Sequence, residues 1–113
     1  MSSSGLKIRG WTDHERHQIT AEIDDALDHN GAWIEDFHAF AHLATCFNLH
    51  VPLNRLAAMC EELMARGVKL DAESWRQVVI AQISGGIPLQ DPDVVATLQV
   101  LFTGEPDPLL LGA

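Results

Sequence analysis

Apolar positions recur along this chain at spacings of three and four, and five successive segments carry the pattern of an amphipathic helix. In the first, Thr12-Asp13-His14-Glu15 has the form of a capping box, with the Thr12 hydroxyl accepting from the Glu15 amide. Ile19, Ile23, Ala26 and Leu27 then make one stripe, and Asn30-Gly31 is a stop signal. A second helix is expected over about 32–48, where Trp33, Phe37, Phe40, Ala44 and Phe47 fall within roughly 80° of arc. Three of the four phenylalanines lie on that stripe, which marks it, Phe40 included, as the anchor of the core.

Pro52 suits the first turn of a third helix, in which Leu53, Leu56, Ala57, Cys60, Leu63 and Met64 continue the stripe until Gly67. Asp71 caps a fourth, containing Trp75, Val78, Val79, Ile80 and Ile83 and closed by Ser84-Gly85-Gly86. Its apolar residues go most of the way round, with Ile80 and Ile83 away from Trp75 and Val78, so it is either central or half of an interface. Val78-Val79-Ile80 also has strand propensity, but no partner strand is evident. Asp91-Pro92-Asp93 opens a fifth helix, with Val94, Leu98, Leu101 and Phe102 as its stripe and Gly104 as its end. In the tail, Pro106 and Pro108 exclude regular helix, and Leu109, Leu110 and Leu111 require shelter on the core or on another chain.

The expected fold is therefore all-α: a flexible N-terminal segment, 1–10, and a single compact domain, 11–113, of about five helices. A length of 113 residues, 47% hydrophobic and 20% charged, suits one such domain with a real core. No apolar run approaches the roughly 18–20 residues of a membrane span. The first residues lack the apolar stretch of a secretory signal, and Cys46 and Cys60 form neither a CxxC pair nor a disulfide framework. The expected compartment is the reducing cytoplasm.

Charge refines this picture. The net charge is −9, and residues 13–36 alone hold eight acids against one base, Arg16. A patch that includes Glu22, Asp24, Asp25 and Asp28 repels phosphate and favours a basic partner. Arg55, Arg66, Lys69 and Arg76 supply a modest local positive charge further on, with the aromatic Trp75 among them.

Candidate chemistry is sparse. Glu35, His38, His42 and Cys46, spaced 3, 4 and 4 apart, would share one face of the second helix and form the sharpest candidate metal set, to which His14 and His17 could add ligands. A closed zinc site needs four convergent ligands, and a di-iron bundle needs a second Glu-x-x-His unit that the chain lacks, so neither metal nor cofactor is expected. There is no GxSxG elbow, phosphate-cradling loop or HExxH, and no enzymatic activity is expected.

One stretch has a family likeness. Leu63-Met64-Ala65-Arg66-Gly67-Val68, then Leu70-Asp71-Ala72-Glu73-Ser74-Trp75-Arg76-Gln77-Val78-Val79, resembles the helix-turn-helix of Xre/Cro-type repressors. The resemblance extends over roughly residues 53–112, through Asp91-Pro92, Leu101-Phe102 and Leu109-Leu110. It implies a recognition helix at 72–83, with Ser74, Arg76 and Gln77 facing the major groove. No Lys or Arg follows Arg76, where phosphate contacts would lie, so nucleic acid is not the expected partner. The first expectation is a small acidic non-enzymatic protein that binds another protein, as an adaptor, inhibitor, immunity-type factor or regulator. Its contacts would come from Glu22, Asp24, Asp25, Asp28, Ile80, Ile83 and the three tail leucines, with a homodimer as a variant. The alternatives are the repressor-like regulator and a helical metal-binding protein.

Overall fold

The computed structural model describes residues 6–41, 43–84 and 93–103. In chain order its elements are β1 (Leu6–Thr12), α1 (Arg16–His29), β2 (Trp33–Phe40), β3 (Ala44–Pro52), one 3-10 turn (Leu53–Arg55), α2 (Leu56–Ala65), β4 (Lys69–Leu70), α3 (Ala72–Ser84) and β5 (Asp93–Phe102). The strands form one sheet in the order β2-β3-β5-β1-β4. β1 and β5 run parallel, and every other neighbouring pair is antiparallel. This is a two-layer α/β fold, so the all-α bundle of about five helices is corrected.

The expected first, third and fourth helices are present as α1, α2 and α3. Ile19, Ile23, Ala26 and Leu27 of α1 are buried, as are Leu56, Cys60 and Leu63 of α2, and Asn30-Gly31 ends α1 with Gly31 at φ 73°. The second and fifth helices are strands instead. Along β3, Thr45, Phe47, Leu49 and Val51 are buried and alternate with half-exposed Cys46, Asn48 and His50. Along β5, Ala96, Leu98, Val100 and Phe102 are buried in the same two-residue rhythm. Residues 6–10, expected to be flexible, form most of β1, and Ile8 there is wholly buried.

The register explains why the strands win. Leu98 sits between Ile8 on one side and Phe47 on the other, and Ala96 faces Leu49. These inward residues share one core with Ile19, Ile23, Leu27, Leu56, Met59, Leu63 and Val78 from the helices. All three helices therefore cover the same face of the sheet. The opposite face carries Lys7, Arg9, Trp11, Asn48, Thr97 and Leu101, and no described element covers it. Gly10 is needed where β4 crosses β1, since a Cβ there would lie 2.6 Å from the Lys69 carbonyl oxygen.

Candidate functional site

The helix layer is narrower than the sheet beneath it. α2 stands between α1 and α3, α3 packs on β1, and α1 reaches only the inner side of β2. Phe37 points to the helix side opposite buried Phe47, yet it is 60% exposed. Phe40, expected to be a core anchor, lies on the open face and is 53% exposed, as is Trp33. The anchor role is thus corrected: of that predicted stripe, Ala44 and Phe47 are the buried members.

What remains between α1 and β2 is a groove. Its wider part is a cavity of about 600 Å³ with Ile34, Phe37, Ala39 and Phe47 as floor, and Arg16, His17, Thr20 and Asp24 as wall. A second cavity of about 280 Å³ shares Asp24 and Ile34 and runs towards Trp33, walled by Asp25 and Asp28. At the hairpin end, Arg16 Nη1 donates to the Ala41 carbonyl at 3.4 Å. At the other end the Trp33 and His50 rings stack at 4.2 Å and 5°, and His50 Nε2 lies 2.8 Å from Glu35 Oε1. The register slips between Ile34 and Asp36, which makes Glu35 a bulge and puts Trp33 and Phe37 on opposite faces.

The helix wall is fixed at its start by a cap other than the expected one. Thr12 is the buried last residue of β1, its carbonyl taken by the Thr103 amide at 2.8 Å. Its hydroxyl accepts from His14, and Glu15 is the N-cap, accepting from the amides of His17 and Gln18 at 2.9 Å each. α1 therefore begins three residues later than a box starting at Thr12 implies.

The two edges of the sheet differ in how they are finished. On the β1 side, β4 is only two residues long, and beyond it Arg9 is taken up by the start of α3. The Arg9 amide donates to Ser74 Oγ at 2.8 Å, and its carbonyl accepts from the Asp71 amide at 3.1 Å. Asp71 Oδ1 in turn accepts from the Ser74 amide at 2.7 Å, which with the Ser74 hydroxyl and the Arg9 charge holds this carboxyl below its usual range. That edge is blunted. At the other edge, β2 runs for eight residues with β3 as its one neighbour among the described residues.

The acidic patch divides between two duties. Glu22 accepts from Arg66, which also pairs with Glu62 at 2.9 Å. Glu62 Oε2 lies 2.9 Å from His29 Nδ1, and its Oε1 accepts from buried Asn30. The His29 contact chiefly, then Arg66 and Asn30, holds the Glu62 carboxyl below its usual range. This network ties α1 to α2, on the side away from β2. Asp24 and Asp28 instead line the groove, and Asp25 does both, lining it with a carboxylate oxygen 3.9 Å from Arg66 Nη1.

Other expected site residues are scattered. Ile80 and Ile83 are exposed on α3, with α2 between them and the groove, and Leu109, Leu110 and Leu111 lie outside the described residues. Ser74 is buried on β1, whereas Arg76 is exposed and pairs with Glu73, as does Gln77. His38 and Cys46 are register partners across β2 and β3, Glu35 turns to His50, and His42 lies outside the described residues. The shared helical face proposed for these four does not exist, because the segment is a hairpin. Among the described residues no three His, Cys, Asp or Glu side chains converge as a metal site, and no helix is long and apolar enough to cross a membrane. The sequence reading missed the groove floor and the open edge; the two-residue alternation of 44–52 was the signal that a strand lay behind them.

Fold and groove together define a two-layer α/β protein with one sheet edge blunted and the other, among the described residues, without a further strand. Comparison with family models, curated proteins and solved structures finds no match.

Proposed function

We propose that the protein acts by binding another protein, non-enzymatically, in the groove between α1 and β2. The observation that carries this reading is the contrast between the two edges. One is closed by a two-residue strand and the Ser74 and Asp71 contacts, while the other leaves eight residues and an apolar floor accessible. An exposed apolar patch rimmed by charge is the usual form of an interaction surface. Asp24, Asp25 and Asp28 along the rim, in a chain of net charge −9, favour a partner with a basic contact surface. The free thiols of Cys46 and Cys60 fit a reducing compartment such as the cytoplasm. A DNA-reading α3 has less support, since the Ser74 hydroxyl is already engaged by Arg9.

The test is photocrosslinking in cells from a benzophenone amino acid at position 37, with position 80 on α3 as the control. A discrete protein adduct from position 37, absent from position 80 and lost on reversing Asp24 and Asp28 to Lys, supports the reading. Equal adducts from both positions, or none from either, would contradict it.

A further inference from the structure

We infer that the occupant of this groove is an extended segment of the partner that adds to the sheet as a strand beside β2, apolar towards α1 and basic on its other side. The inference rests on the binding role proposed for the groove and specifies its mode. An antiparallel edge strand turns the N–H and C=O of alternate residues away from its neighbour, so a row of main-chain groups on β2 points outwards. A strand added there satisfies them and lies about 4.8 Å from β2.

Side-chain alternation then sets the chemistry. One set of the incoming residues falls beside Ile34, Phe37 and Ala39, over the apolar floor of the groove. The other set falls on the open face beside Glu35, Asp36 and His38, between Trp33 at one end of β2 and Phe40 at the other. Glu35 is engaged by His50 and Asp36 by Asn48 at 2.6 Å, but a carboxylate has acceptor capacity for a second donor. Lys or Arg in the second set would pair with them across the strands. Pairing is most regular along residues 36–40, beyond the bulge. A second copy of the chain fits less well, because it brings another net charge of −9 and its own Glu35 and Asp36 to the seam.

The experiment uses a ten-residue peptide of alternating Lys and Val, its Glu-Val counterpart, and two N-methylated forms of the first. One form is methylated on every Val amide and the other on every Lys amide. In an added strand only one of these two sets of amides faces β2. The Lys-Val peptide should bind with submillimolar Kd and slow amide exchange within Trp33–Phe40, while Glu-Val binds at least about tenfold more weakly. One methylated form should lose about tenfold or more, and the other should stay within about threefold of the parent. Equal binding by the parent and both methylated forms would overturn strand addition and leave the groove reading intact. Absence of Lys-Val binding, or equal binding of Glu-Val, would overturn the stated chemistry, while the crosslink from position 37 judges the groove separately. A dimer of the free chain with protected β2 amides would assign the edge to a second copy.

Discussion

Leu98→Ala and Phe40→Ala should differ sharply in cost, and in the opposite order to that expected from a helical stripe containing Phe40. Leu98 is wholly buried in the middle of β5, with Ile8 and Phe47 as its register neighbours on either side. Both flanking strands are hydrogen-bonded to β5, so the site has little room to collapse around the missing atoms. Leu→Ala changes in such positions cost about 2–5 kcal/mol, and a rigid three-strand surround points to about 3–4. For a domain near this size each kcal/mol moves Tm by about 4–8 °C, so Leu98→Ala should lower Tm by about 12–32 °C. Phe40 is 53% exposed on a face that no described element covers, and its truncation should cost under about 1 kcal/mol. Urea unfolding followed by circular dichroism at 222 nm, with m-values checked for equality, measures both. A cost above about 3 kcal/mol for Phe40→Ala together with under 1 for Leu98→Ala would refute the sheet.

Stability should fall on acidification below the ordinary carboxylate values of 4.5 for Glu62 and 3.8 for Asp71. Both carboxyls are held low in the folded protein, so their contribution is complete above those values and is lost as pH drops through the lowered ones. Glu62→Gln should flatten this loss in pH-dependent urea titrations; an unchanged profile would remove Glu62 from the cause. Asp71→Ala removes the cap of α3 and should cost about 0.5–2 kcal/mol, which thermal denaturation at pH 7 would register. Burial, then the neighbouring Glu61 charge, pushes the Cys60 thiol up to about 12, so iodoacetamide at pH 8 should label half-exposed Cys46 and leave Cys60 until the chain unfolds. Two rapid adducts by mass spectrometry would contradict the placement of Cys60 in the core. Gly67→Ala should destabilise, since φ is 115° and the new Cβ would meet the His14 ring at 2.7 Å; a Tm equal to wild type would count against that turn.

The helices were legible in the sequence because their determinants are local. Asp71 caps α3 where expected, Gly67 and Asn30-Gly31 stop helices where expected, and the stripe of α1 is the stripe that is buried. The hairpin and β5 were misread for a different reason. A spacing of four, as from Trp33 to Phe37 or Val94 to Leu98, fits a period of 3.6 and a period of two equally well. Val94, Ala96, Leu98, Val100 and Phe102 alternate, but what makes them a strand is β1 and β3, which flank β5 from far away in sequence. Pro92-Asp93 resembled a helix start, but β5 begins at Asp93, and Pro92 lies outside the described residues. Of the residues that line the groove, the sequence singled out Asp24, Asp25 and Asp28, as candidate partner contacts. Glu22, grouped with them, is engaged by Arg66, a contact between α1 and α2 that no spacing within α1 reveals.

The most direct measurement on the open edge is residue-resolved amide exchange by NMR across Trp33–Phe40 in the free protein at two concentrations. Amides directed at β3 should be protected, and the alternate, outward-facing ones should exchange rapidly at both concentrations. Protection of every amide along β2 would mean that the edge is already occupied, by another part of the chain if independent of concentration or by a second copy if it rises with concentration, and would contradict an edge held open for a partner.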